Sequence, residues 1–195
     1  SNILFGNVIL ENLEKMKVKK FINFSTVWEN YDLIKENPYN LYSAYKIAFS
    51  KIINFYKKKF KKINFYELMI SDTFGFNDER MKIVNVLRKN YKKNKITKLI
   101  SKNLYINLLN VDSIINAIKI IKSKNIYSGR YLLKNNKDIK LSDLVETFNR
   151  SNNKNLKINW GSNKVIKQKI YSYKTLKGWK PIKSNIIDII NIIKN

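Results

Sequence analysis

The stretch from Phe21 to Tyr56, FINFSTVWENYDLIKENPYNLYSAYKIAFSKIINFY, decides the fold. It opens on a short apolar run, Phe21-Ile22-Asn23-Phe24, which reads as a buried strand delivering two hydroxyls, Ser25 and Thr26, at its carboxyl end. A polar segment, WENYDLIKENP, leads to Pro38, a residue suited to a helix entry. From Tyr42 to about Lys59 the apolar positions Ala44, Ile47, Ala48, Ile52, Ile53 and Phe55 recur at helical spacing. A second apolar run, Ile63 to Ile70, follows as another strand. Strand, helix, strand is the unit from which a parallel, wound sheet is built.

Outward from that unit the alternation continues. Asn2 to Lys17 predicts a helix, one in which the chain already lies at Ser1. Met81 to Tyr91 predicts a helix and Leu104 to Val111 a strand, with Asp112 capping a further helix through Ile121. Tyr131 to Leu133 and Leu156 to Trp160 read as strands, and Leu141 to Phe148 as a helix capped by Ser142 or a neighbour. A Leu176 to Pro181 turn precedes a last amphipathic helix, Asn185 to Ile193. The five glycines, Gly6, Gly75, Gly129, Gly161 and Gly178, stand apart from one another, so no GxGxxG or GxxxxGK phosphate loop is expected in this chain.

Composition removes many chemistries. With no cysteine there are no disulfides, thiol nucleophiles or thiolate metal sites, which is compatible with a reducing, cytoplasmic setting. With no histidine, the usual general base and the commonest zinc ligand are gone, and no metal is expected. Proton chemistry then falls to Tyr, Lys, Asp, Glu or a hydroxyl. No apolar run of about 18 residues occurs, so no membrane partner is expected. A net charge of +25 invites a nucleic-acid reading. Yet the cations are nearly all Lys, the arginines being Arg80, Arg88, Arg130 and Arg150, whereas base readout and phosphate forks favour Arg. Lys comes with abundant Asn and Ile, so compositional drift explains the charge and nucleic acid is not the expected partner.

Tyr42 and Lys46 are one helical turn apart on one face. A neighbouring ammonium stabilises phenolate; bringing a tyrosine from about 10 to neutrality takes roughly 4 kcal/mol, more than one surface charge supplies. The same spacing recurs at Tyr31/Lys35, Tyr91/Lys95 and Tyr173/Lys177. Context singles out Tyr42/Lys46, which alone opens a long apolar-faced helix after a hydroxyl-bearing strand, and ligands bind at that edge of open α/β sheets.

FINFSTVWENYD (21–32), NPYNLYSAYKIAFSKIINFY (37–56) and INFYELMISDTFGFNDERMKIVN (63–85) resemble the extended short-chain dehydrogenase/reductases, in particular the NAD-dependent epimerase/dehydratase family acting on nucleotide-linked sugars. The segments INLLNVDSIINAI (106–118) and LKGWKP (176–181) extend the resemblance. The NPxNLYxxxK and DTxG patterns are most similar to the deoxysugar branch around the CDP-abequose and CDP-paratose synthases. The chain departs from the pattern at Phe74 and Phe76, in place of Tyr and Pro, and at Tyr45, in place of a small residue.

The resemblance implies the C-terminal part of a Rossmann-like parallel sheet with a small α/β substrate lobe, the N-terminal cofactor-binding βαβ units being absent. Residues 1–100 would hold the Rossmann-like portion with the YxxxK helix, and 101–195 would return to the sheet and form the substrate-binding lobe. It implies Tyr42 as acid/base, Lys46 as its partner on the nicotinamide ribose, and Thr26 as the hydroxyl on the reacting sugar oxygen. Ser25 and Asp72 would also face the cofactor, with Asp72 and Arg80 toward the substrate, Arg80 at its diphosphate. The cofactor would be NAD or NADP, with its binding loop outside this chain. The reaction would be epimerisation or 4-keto reduction of a nucleotide-linked sugar by a homodimer. Dehydration is less favoured, because Val27-Trp28-Glu29 stands where dehydratases carry an Asp-Glu pair. The alternative is a non-catalytic or degenerate member of the fold, a basic polyanion-binding module whose lysine runs are 57–62 and 92–95.

Overall fold

The computed structural model describes residues 2–76 and 78–195. Ser1, expected inside the first helix, and Asn77 of the 63–85 segment lie outside the described residues. In chain order the elements are α1 (Asn2–Asn12), β1 (Lys20–Thr26), a 3-10 segment (Val27–Leu33), α2 (Leu41–Lys59), β2 (Asn64–Ile70), β3 (Asp72–Phe74) and α3 (Ile83–Lys92). Then come β4 (Thr97–Ser101), β5 (Leu104–Ile106), β6 (Leu108–Asn110), α4 (Val111–Ser123), β7 (Gly129–Leu133), β8 (Ile139–Lys140) and α5 (Leu141–Arg150). β9 (Ile158–Ser162), β10 (Ile166–Lys167) and α6 (Ile186–Lys194) complete the chain.

These elements assemble into two compact units, each made from three stretches: 1–70, 117–133 and 169–179 in the first, 71–116, 134–168 and 180–195 in the second. The first unit holds a parallel sheet in the order β1-β2-β7. Its register pairs Lys20 with Asn64 and Thr26 with Ile70, and Ile70 in turn with Leu133, so the three strands finish level. β2 is apolar almost throughout and buried from Phe65 to Met69, as a strand covered on both faces must be. On one side Leu10 of α1, Leu13 just after it, and Phe49, Ile53 and Tyr56 of α2 pack with Phe60, Ile63 and Phe65. A second, smaller cluster joins Val27, Met69 and Leu132 to the half-buried Trp28, Ile170 and Tyr173.

β1, α2 and β2 form a parallel crossover of the βαβ kind, so the chain is a Rossmann-like α/β fold with a βαβ unit of its own. This crossover is the strand-helix-strand unit expected from residues 21–70.

The second unit is built from short pairs: β3 with β6, β4 with β9, and β5 between β8 and β10. Its core gathers Phe74, Leu87, Leu108, Leu144 and Phe148 with the apolar side of α6. Four local expectations change. α1 ends at Asn12, well before Lys17, which sits at φ 54° in the left-handed region. The expected strand Leu104–Val111 is two short strands, and Val111 already belongs to α4. Asp112 is not the cap of α4: its N–H donates to Asn110 Oδ1 at 2.9 Å, while its carboxylate takes Lys183 at 2.8 Å. Likewise α5 has no side-chain cap from Ser142, which already lies inside the helix.

Candidate active site

The helix that carries Tyr42 and Lys46 is started by Asn40, not by Pro38. Asn40 Oδ1 accepts from the Ser43 N–H at 3.0 Å and Ser43 Oγ accepts from the Asn40 N–H at 3.0 Å, a reciprocal cap that satisfies two otherwise orphaned donors. Tyr42 therefore lies in the first turn, with its ring about half exposed. Lys46 lies one turn on, its ammonium 5.6 Å from the centroid of the Tyr42 ring. That ammonium also donates to the Phe24 carbonyl at 2.9 Å, which ties α2 to the carboxyl end of β1. Burial pushes Lys46 below the usual lysine range, and the Glu29 carboxylate pulls it back up.

Ser25 and Thr26 are both buried at the end of β1. Thr26 Oγ1 accepts from the Trp28 N–H at 3.3 Å and so caps the 3-10 segment. The Ser25 hydroxyl is buried without a hydrogen-bond partner, as is the Asn23 amide nitrogen two residues earlier. The first unit thus brings Tyr42, Lys46, Ser25 and Thr26 together around the carboxyl end of one strand. A lysine ammonium, a phenol and an unpartnered hydroxyl are a donor set that fits a ribose with its attached ring.

Asp72 and Arg80 belong to the second unit. Asp72 accepts from the Gln168 amide at 3.2 Å. Arg80 grips Asp78 with two bonds of 2.7 Å and reaches Thr73 Oγ1 at 3.3 Å. Arg80's hydrogen bonds hold the Asp78 carboxyl below its usual range. Lys82 converges on the same Thr73 hydroxyl at 3.1 Å, and burial, helped by the charge of Arg80, lowers its pKa.

The sequence reading missed a buried ionic cluster beside the first group. Arg130 of β7 donates to Glu29 at 2.6 Å and stands 3.6 Å from Glu67 of β2. Ser50 of α2 donates to Glu67 at 3.2 Å, and the Tyr173 ring lies 5.4 Å from the guanidinium. Burial pushes the Glu29 carboxyl above its usual range, against the lowering pull of Arg130. A signal for this existed: Glu67 interrupts an apolar strand run, and an acid there needs a partner. Among the described residues no group of acids assembles a metal site.

Fold and site together define a Rossmann-like α/β protein with a Tyr–Lys pair at the carboxyl edge of its sheet. Residues 1–132 match the NAD dependent epimerase/dehydratase family, and the chain belongs to that family. It is 28% identical over 139 residues to a CDP-abequose synthase of Yersinia pseudotuberculosis, a match covering 67% of this chain and 47% of that one. The chain therefore spans about half the length of this curated relative. The whole chain superposes on the UDP-glucose 4-epimerase of Thermus thermophilus with a TM-score of 0.78 at 14% identity, over 70% of that chain. It superposes equally fully on the UDP-glucuronic acid 4-epimerase of Bacillus cereus, with a TM-score of 0.81 at 17% identity, over 67% of that chain. These likenesses establish the fold. They overturn the reading of the chain as a sheet remnant without cofactor-binding βαβ units, since the entire chain follows the Rossmann-like fold of those enzymes.

Proposed function

We propose that this chain carries the proton-transfer site of a cytoplasmic, NAD(P)-dependent nucleotide-sugar epimerase or 4-keto-reductase. The observation that carries the reading is the Lys46 bond to Phe24 O, with the Tyr42 ring beside the same ammonium. It couples the phenol, the cation and the hydroxyl-bearing end of β1 in one piece of structure.

Bound NAD or NADP supplies hydride acceptance or donation at the sugar carbon. Tyr42, as phenolate, would take the proton of the sugar hydroxyl and return it in the reverse direction. Lys46 stays protonated, stabilises that phenolate and holds the nicotinamide ribose, with Ser25 as a further donor. Thr26 orients the reacting sugar oxygen. Asp72 faces cofactor or substrate, and Arg80 takes the nucleotide diphosphate by exchanging Asp78 for phosphate oxygens. Residues after 100 return to the sheet at β7 and also contribute to the substrate lobe.

Glu29 favours epimerase or reductase over dehydratase, because it is 1% exposed and its carboxylate is engaged by Arg130. A CDP-linked deoxysugar is the first substrate class we propose, on the likeness to the CDP-abequose synthase. Exposed apolar side chains on α1 and α2, among them Leu4, Phe5, Tyr45 and Phe55, support homodimerisation through the helix bearing Tyr42.

The test is turnover of CDP- and UDP-linked 4-hydroxy and 4-keto sugars with each nicotinamide cofactor, read by product NMR. Tyr42→Phe is expected to lose about 100- to 10,000-fold in turnover while cofactor affinity, read by fluorescence, stays put. Full turnover in that variant would sink the assignment.

A further inference from the structure

Three connections meet at the amino-terminal edge of the β1-β2-β7 sheet, all within the first unit. α1 runs into β1 through EKMKVKK (14–20), α2 into β2 through KKKFKKI (57–63), and α4 into β7 through KSKNIYS (122–128). The strand starts are level: Lys20 pairs with Asn64, and the Ser128 hydroxyl contacts both the Phe65 N–H, at 3.0 Å, and the Asn64 side chain, at 3.2 Å. Lys20 binds the end of α4 to the start of β1, donating to the carbonyls of Ile121 at 2.6 Å and Lys122 at 3.1 Å. The three connections therefore share one edge of the sheet, opposite the edge where Lys46 meets β1.

Every lysine in these stretches except Lys20 is exposed, and Glu14 is their one acid. The carboxyl ends of helices attract cations, which accounts for Lys57, Lys58, Lys59 and Lys122 in last turns. It does not account for Lys15, Lys17, Lys19, Lys61, Lys62 and Lys124, which lie beyond the helices. Two apolar side chains stand out among them. Met16 is 61% exposed and Tyr127 88% exposed, although the Tyr127 carbonyl is fixed by the Tyr131 hydroxyl at 2.7 Å.

We infer that this edge docks on the surface of a bilayer rich in anionic phospholipid. Lysines clustered within a Debye length of an anionic surface add their attractions. A tyrosine at the headgroup level puts its ring in the acyl boundary and its hydroxyl in water. Nucleic acid is the rival polyanion, but forked recognition of its phosphates and bases favours arginine, and these stretches contain none. The expectation of no membrane partner came from the lack of a spanning segment, and no described helix is long and apolar enough to cross a membrane. Surface docking needs no such helix. It also leaves the carboxyl edge of the sheet, with Tyr42, on the side away from the lipid. The inference stands independently of the proposed activity.

The experiment is co-sedimentation with vesicles of phosphatidylcholine alone and of phosphatidylcholine mixed equally with phosphatidylglycerol. Binding is expected on the mixed vesicles only, weakening as salt rises. Two variants with the same loss of charge locate the surface: K57Q/K58Q/K59Q/K61Q/K62Q at this edge, and K89Q/K93Q/K95Q/K98Q/K102Q in the second unit. The first is expected to weaken binding by about a hundredfold and the second by less than about threefold. Should the first lose its cooperative melt, K61Q/K62Q against K93Q/K95Q makes the same comparison in connections outside the helices. Equal effects from the two sets would mean that net charge alone governs, which overturns the inference. So would absence of binding to the mixed vesicles, or a short DNA duplex that binds the same lysines more tightly than the vesicles do.

Discussion

Arg130→Met removes a cation that stands between two buried carboxylates. Glu29 and Glu67 have side chains 2% and 5% exposed, and Arg130 holds the first at 2.6 Å and lies 3.6 Å from the second. Methionine keeps much of the volume and none of the charge. Removing one partner of a buried ion pair costs about 3–5 kcal/mol, because the remaining charge is stranded. The carboxyls can escape by protonation: at pH 7 a group of ordinary pKa near 4.3 takes a proton at a cost of about 3.7 kcal/mol. Burial already pushes Glu29 upward, and the variant loses the Arg130 attraction that opposes it. The penalty is therefore capped near the middle of that range for Glu29, while the Ser50 hydroxyl at 3.2 Å still supports Glu67.

The sign follows. In the variant the folded state holds a proton that the unfolded state has released at pH 7, so stability rises as pH falls. Between pH 7 and pH 5 the deficit shrinks by up to about 2.7 kcal/mol. The assay is urea unfolding at both pH values, followed by tryptophan fluorescence in a Trp160→Phe background, which leaves Trp28 and Trp179 of the first unit as reporters. Adding Glu29→Gln and Glu67→Gln to Arg130→Met should recover much of the loss. A deficit under about 1 kcal/mol at pH 7, or one of the same size at both pH values, refutes the reasoning.

Asn40→Ala removes the acceptor that caps α2 through Ser43 and should cost about 1 kcal/mol in the same unfolding assay, with Asn40→Ser nearly neutral. Gly161→Ala builds a Cβ 2.4 Å from the Ile100 carbonyl oxygen across the β4–β9 pair, where backbone has to yield, and should lose about 1–3 kcal/mol in thermal unfolding of the second unit followed by Trp160.

What could be read from sequence was what local pattern determines. β1, β2 and α2 were legible because an apolar run buried on two faces and a stripe at helical spacing each leave a signature within seven to nineteen residues. β3, β8 and β10, of two or three residues, were not, since such strands exist only through the partner that hydrogen-bonds them. The start of α4 was misplaced by two residues because Asp and Asn both cap well, and only the structure reveals that Asn110 does so. The Glu29–Arg130 pair spans 101 residues of sequence, beyond the reach of any spacing rule. Lysine-rich connections were visible as runs, but their meeting at one edge depends on the strand order β1-β2-β7.

The Tyr–Lys pair sharpens the same distinction. Four pairs share the i, i+4 spacing, and the spacing has meaning only where both residues lie in one helix. Tyr31 lies in the kinked 3-10 segment, with extended backbone at φ −59°, ψ 143°, and Lys35 comes after that segment ends. Tyr91 is in α3 but Lys95 comes after the helix stops at Lys92, and Tyr173 and Lys177 lie in no helix. Tyr42 and Lys46 alone share one, and there the spacing becomes a 5.6 Å approach of ammonium to ring. The step that spacing cannot encode is the bond from Lys46 to Phe24 O. It requires α2 to lie against β1 in a way that draws a partly buried cation to the strand's carboxyl end. Burial works against that cation and Glu29 works for it, so the ionic cluster behind the strand bears on how firmly Lys46 keeps its proton. Folding and proposed chemistry thus meet in one residue: the carboxylate that Arg130 makes tolerable inside the first unit is the one that favours the charge on Lys46.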